Sequence, residues 1–218
     1  KRSLKKVFGE KGLSHSTISN ITAKVVDEFN AWKKRDLSGL SVLYLVIVGI
    51  RLGVRTDTKE KEAVLAATAF LEGGRRELLG VSLGNRESTA SWKDFLEDMR
   101  ERGLKDPFLI ISDGCPGALH ALADVFPKVD VQRCTKHRME NVLEKVLKDD
   151  RKAVTNDLRM VFYSSTLEHS NEALDLFRKK WSKRYPSAVV CLMTDIDRCQ
   201  TYYKFPIAHW KRIRTTNA

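Results

Sequence analysis

Between residues 42 and 134 the chain repeats one pattern, an apolar run of strand length followed by a polar break, and beyond Cys134 such runs stop. Val42 to Val48 is apolar throughout, and Ile50, Leu52 and Val54 then alternate with Arg51, Gly53 and Arg55. This predicts a long strand, buried on both faces first and on one face later. Ala63 to Leu71 and Arg75 to Leu83 flank Gly73-Gly74, the signature of an antiparallel hairpin. Trp92, Phe95, Leu96 and Met99 mark a helix face that opens at Ser88 or Ser91 and ends at Gly103. Phe108 to Ser112 is a short apolar strand that stops at Asp113-Gly114, and a helix from Gly117 to Phe126 and a strand from Asp130 to Cys134 follow. Three strands followed by alternating helices and strands predict an α/β mixed sheet with helices on its faces.

The flanks read differently. Met139, Val142, Leu143, Val146, Leu147, Val154, Leu158, Val161 and Phe162 form one long helical stripe. Ala173, Leu174, Phe177 and Trp181 form another, broken at Tyr185-Pro186. Residues 138–204 are therefore expected as an all-helical extension. Ahead of the sheet, Leu13, Ile18, Ile21, Val25 and Phe29 recur at helical spacing, with Ser14 or Ser16 as N-cap. The hydroxyls of Ser16, Thr17 and Ser19 suit the first turn of a DNA-recognition helix, and equally a plainly capped amphipathic helix.

Lys and Arg number 39 against 28 acids, a net charge of +11, which favours a polyanionic partner such as nucleic acid. No apolar run approaches the roughly 18 residues of a membrane span, and the first residues hold no apolar signal core, so a soluble intracellular protein is expected. The chain starts at Lys1 without Met and is read as a piece of a longer protein. Four cysteines in a chain of 218 residues do not make a disulfide scaffold and leave reduced thiols or a metal site.

Three places could carry chemistry. Asp113 follows a buried strand directly, at the sheet edge where α/β folds bind ligands and metals; Asp-Gly is also an ordinary turn. Cys134-x-x-His137 sits between a strand and a helix, and Cys115 and His120 one unit earlier supply two further soft ligands, so zinc is conceivable although the spacing is not that of a common finger. His209-Trp210-Lys211-Arg212-Ile213-Arg214 joins Lys211, Arg212 and Arg214 with an indole, suited to phosphate contacts and base stacking or to a solvated helix start. No P-loop, GxGxxG, HExxH or GxSxG occurs.

The runs ELLGVSLGNRESTASWKDFLEDMRERGL, LIISDGCPGAL, VQRCTKHRMENVL and FPIAHWKRIRTTNA, in that order, resemble the Mutator-type transposases of bacterial insertion sequences. The resemblance extends from LSHSTISNIT to the last residue. It implies a ribonuclease-H-like mixed sheet interrupted by a helical insertion. The chain then divides into an N-terminal helical segment at 1–38, a remnant of a DNA-binding region, and a catalytic core at 39–137. The insertion at 138–204 and the start of the returning core segment at 205–218 complete it.

In that family two Asp and one Glu hold two divalent ions, Mg²⁺ or Mn²⁺, that activate the attacking hydroxyl or water and stabilise the leaving oxygen. Asp113 corresponds to the second Asp and is the expected metal ligand. The first Asp would stand where this chain has Val48, which cannot ligate a metal; Asp57 is out of register. The Glu would fall beyond Ala218. Cys134 and His137 match the family's C-x-x-H motif, which needs neither Cys115 nor His120, and Lys211, Arg212 and Arg214 are expected near the DNA.

The expectation is thus a degenerate or truncated insertion-sequence transposase with doubtful metal binding. The alternative is a catalytically inactive fragment that binds DNA or the transposase. Expected partners are the element's terminal inverted repeats, target DNA and further copies of the chain on DNA, in a bacterial cytoplasm at the nucleoid, with no membrane.

Overall fold

Strand β1 (Val42–Arg51) is the axis of the molecule. The computed structural model describes residues 14–51, 63–84 and 88–216. Leu52 and Val54, in which the long-strand reading continued, and Asp57, read as out of register with the first Asp, lie outside the described residues. β1 pairs antiparallel with β2 (Ala63–Leu71), and β2 in turn with β3 (Arg76–Gly84). Gly73 and Gly74 turn the hairpin with φ of 84° and 83°, a left-handed conformation that glycine adopts at little steric cost. On its other side β1 runs parallel to β4 (Leu109–Ser112), which runs parallel to β5 (Asp130–Arg133). The five-stranded sheet has the order β3-β2-β1-β4-β5.

Because strand side chains alternate, β1 feeds two cores. Leu45 and Ile47 join Leu65, Ala67, Leu79 and Ile110 on one face. Two helices close that face. α2 (Thr89–Glu101), capped by Ser88 Oγ accepting from the Ser91 N–H, buries Trp92, Phe95, Leu96 and Met99. α3 (Pro116–Val125) buries Ala118, Ala121, Leu122 and Val125. Each large apolar side chain so buried contributes about 1.5–3 kcal/mol relative to exposure. On the opposite face Tyr44, Val46, Phe70, Leu109 and Ile111 meet Tyr202 and Ile213 from the end of the chain.

A third core lies wholly in residues 139–199, around Val142, Val154, Leu158, Phe162, Phe177 and Trp181. The helices here are α4 (Thr135–Leu143), α5 (Arg151–Phe162), α6 (Leu167–Trp181), α7 (Pro186–Met193) and the one-turn α8 (Ile196–Cys199). The single long stripe of the sequence is thus two helices. Leu147 turns to an extended ψ of 146°, and a 3₁₀ turn at Lys148–Asp150 redirects the chain, so both halves face the same core.

The first described helix, α1 (His15–Lys33), starts at Ser14, whose Oγ accepts from the Thr17 N–H at 3.1 Å. It buries none of its residues, and Ile18, Ile21, Val25, Val26 and Phe29 are all exposed. Among the described residues no helix is long and apolar enough to cross a membrane.

Candidate functional site

Parallel pairing brings the carboxyl ends of β1 and β4 to one edge of the sheet. Ile47 stands beside Ser112 in the last pair of that register, and Val48 and Asp113 are the residues that follow this pair in the chain. By alternation Val48 belongs to the face of Tyr44 and Val46 and packs against that cluster, whereas Asp113 stands in the turn beyond β4. Asp113 is held by its turn. Its Oδ1 accepts from the Cys115 N–H at 2.9 Å and from Ser112 Oγ at 3.5 Å, while Ser112 Oγ accepts from the Gly114 N–H at 3.1 Å. One carboxylate therefore forms the Asp-Gly turn and stands at the sheet edge at once.

The C-x-x-H pair lies beside it. The Cys134 N–H donates to the Ser112 carbonyl at 2.8 Å, which fixes the start of α4 against the end of β4. The returning chain completes this corner. Thr135 donates from its N–H and its hydroxyl to the Arg214 carbonyl at 3.0 and 3.1 Å. Thr216 donates to Cys134 Sγ from its N–H at 3.4 Å and its hydroxyl at 3.5 Å, and that hydroxyl lies 3.5 Å from His137 Nδ1.

Burial, the largest influence on the Cys134 thiol, pushes its pKa up, but hydrogen bonds from His137 and Thr216 together hold it below its ordinary value. The hydrogen bond to Cys134 in turn raises His137 against the opposing effect of burial, aided by the charges of Cys134, Asp113 and Glu140. Cys115 and His120 do not complete a zinc site with this pair: among the described residues no three His, Cys, Asp or Glu side chains gather as metal ligands, and no disulfide joins the cysteines.

The basic stretch is split. Lys211 and Arg212 are exposed on the one-turn helix α9 (Trp210–Ile213), whereas Ile213 is buried beneath the sheet. Arg214 is half-buried, its guanidinium 4.1 Å from the centre of the Tyr163 ring at the end of α5. His209 is anchored by Tyr44, with Oη and Nδ1 2.6 Å apart.

Sequence reading missed a polar cluster that shares a cavity with Asp113 and His137. A cavity of about 740 Å³ is lined by Asp113, Cys115, His120 and His137 together with Arg133, Arg138, Asp195 and Arg198. Asp195 Oδ2 accepts from Arg133 at 2.5 Å and from Arg138 at 3.1 Å, and Arg198 reaches Oδ1 at 3.5 Å. Two arginines flanking the C-x-x-H motif were the available signal. Nothing local marks Asp195, which lies 62 residues from Arg133 in the chain.

The fold and this edge define a class: an α/β protein with a mixed five-stranded sheet, a strand-end carboxylate and a helical extension beside it. The family model for Mutator-family transposases matches residues 1–218, and the chain belongs to that family. It is 37% identical to the transposase for insertion sequence element IS6120 of Mycolicibacterium smegmatis, over 94% of this chain and 64% of that protein. To the transposase for IST2 of Acidithiobacillus ferrooxidans it is 33% identical, over 95% of this chain and 70% of the other. It spans about half, 52%, of the IS905 transposase of Lactococcus lactis, at 29% identity.

Proposed function

We propose that this chain carries the catalytic-core region of an insertion-sequence transposase, folded as a ribonuclease-H-like sheet with a helical insertion, in a form that binds DNA without cutting it. The observation that carries this reading is the register of β1 and β4, whose last pair, Ile47 beside Ser112, is followed on β1 by Val48, not a carboxylate, and after β4 by Asp113. The strand order β3-β2-β1-β4-β5, with its antiparallel meander followed by two parallel strands, supports the fold assignment. Family membership and the homologous transposases support the role in transposition. DNA is the expected partner, including the element's terminal repeats, with further copies of the chain assembling on it. The net charge of +11 and the exposed Lys211 and Arg212 favour such binding.

The donor set does not fit a pair of Mg²⁺ or Mn²⁺ ions. Hard divalent ions of this kind take several oxygen ligands. The described edge offers Asp113 and, on β1, only the isopropyl group of Val48, and the other carboxylate lining the cavity, Asp195, is engaged by three guanidinium groups. No cleavage step is therefore assigned to these residues. Incubating the chain with element-end DNA and Mg²⁺ or Mn²⁺ is expected to leave the DNA intact, while gel-shift binding persists and weakens steeply with salt. Metal-dependent nicking abolished by Asp113→Ala would overturn the loss of catalysis. Binding indifferent to salt, or none at low salt, would overturn the DNA-binding reading.

A further inference from the structure

The cavity beside Asp113 is walled by two buried arginines that are only partly satisfied: both donate to Asp195, and Arg138 Nη1 donates also to the Cys191 carbonyl at 2.7 Å. The side chains of Arg133 and Arg138 are 10% and 4% exposed, and both line the cavity. Each places its Nε–H in the interior without a hydrogen-bond partner, two of three such buried side-chain atoms among the described residues. A buried donor left without an acceptor is costly, so an acceptor that arrives from outside is the natural complement.

The surroundings are shaped for an anion. Gly114 has φ of +85°, and a Cβ there would stand 2.4 Å from Arg133 Nε, so glycine lets the Arg133 guanidinium lie against the turn that carries Asp113. The ten-residue α3 opens at this same turn, in the wall made by Gly114, Cys115 and Pro116, and the Asp113 carboxylate, which accepts from the Cys115 N–H, already stands at the positive end of its backbone dipole. Arg198, with a side chain 51% exposed, stands at the rim, and His120 and His137 complete the lining. Against the three guanidiniums stand two carboxylates, Asp113 and Asp195. Arginine forks match the tetrahedral oxygens of phosphate, each able to donate two parallel hydrogen bonds.

Asp195 occupies the place of an internal counter-ion. It takes three arginines while holding φ of 60°, the only positive φ outside glycine among the described residues. Strained backbone of this kind persists where surrounding contacts over-determine it.

We propose that this cavity is a phosphate-binding pocket in which Arg133, Arg138 and Arg198 receive a phosphate group and Asp195 holds the arginines in place until it arrives. On the transposase reading, on which this clause rests, the phosphate belongs to the DNA strand passing Asp113. A free phosphate or mononucleotide would present the same chemistry.

The test is calorimetric titration of the 218-residue chain in EDTA at constant ionic strength, first with inorganic phosphate and then with a 5′-phosphorylated thymidine dinucleotide. Saturable binding of phosphate is expected. Arg198→Ala, at an exposed position, should weaken it several-fold. Asp195→Asn should tighten it by about tenfold, since it removes a neighbouring negative charge while keeping an acceptor for the arginines. Asn also tolerates left-handed backbone. A purely structural ion pair would give the opposite result, with Asp195→Asn leaving binding unchanged or weaker. Tighter binding of the dinucleotide than of phosphate assigns the pocket to a nucleic-acid strand, and equal binding assigns it to a free phosphate.

No saturable binding, or affinities unmoved by both substitutions, would overturn the pocket while leaving DNA binding by the rest of the chain intact. Conversely, phosphate binding that survives in a chain unable to shift any duplex would sink the DNA-binding reading and spare the pocket.

Discussion

On one face of the sheet Leu45 and Ile47 lie under α2 and α3, in a cluster of twenty buried residues that are all apolar. On the other face Tyr44 and Val46 lie under the returning chain, in a buried cluster of seven that includes two tyrosines. The first face is closed by neighbouring segments of the same strand-helix alternation. The second is closed by Tyr202 and Ile213, more than 150 residues along the chain from β1, and its edge carries Tyr44, His209, Thr135 and Thr216 as polar contacts. The difference separates a face that supplies stability from one that brings functional groups together, at a cost in apolar area.

Removing one large side chain from each face tests this division most directly. Trp92→Ala should cost about 3–5 kcal/mol, and Ile213→Ala a smaller loss near the lower end of about 2–5 kcal/mol, read by denaturant unfolding. Ile213→Ala should also perturb the His137 ring resonances, because Ile213 precedes Arg214 and Thr216, which bind the start of α4; Trp92→Ala in its folded fraction should leave them in place. Equal losses and no change at His137 would erase the distinction between the faces.

A smaller effect is expected from Tyr44→Phe, which keeps the ring against Phe205 and removes only the hydroxyl bonded to His209. About 0.5–1.5 kcal/mol is expected for that hydrogen bond. A loss as large as that of Ile213→Ala would mean that the polar contacts, not Tyr202 and Ile213, hold the second face.

The Cys134–His137 pair sharpens the comparison through pH. His137 is raised from 6.5, so its contribution to stability is full below that value and fades as pH rises through the folded value. Cys134 is lowered from 9.0, so its contribution is full above that value and fades as pH falls through the folded value. Because the two are coupled, Cys134→Ala should move the His137 midpoint down, followed by NMR of the imidazole. An unmoved midpoint would show that Asp113 and Glu140, not the thiol, set it.

Several features could be read from local pattern because their causes are local. Apolar alternation and helical spacing foretold every strand of the sheet and the helices at its faces, and Ser14 and Ser88 cap because a short hydroxyl followed by a helical stripe suffices. Asp113 could be placed at a strand end for the same reason. The interruption at Leu147 could not, since residues on both sides face one core and the stripe looks continuous. The stripe of α1 illustrates the limit from the other side: its spacing specifies a helix, yet the helix buries none of its residues among those described. Periodicity determines which residues share a face and is silent on what the face meets.

The sequence by itself therefore determined the order of elements, the excess of positive charge, the family and the residue types at the sheet edge, Val48 among them. Only the tertiary structure decided that Thr216 bonds to Cys134, that Arg214 turns to Tyr163, and that Arg133, Arg138 and Arg198 converge on Asp195 beside Asp113. The reason is physical: secondary structure follows from interactions a few residues apart, whereas these contacts are made where the parallel sheet edge, the helical extension and the returning chain are packed together, and no local spacing encodes that meeting.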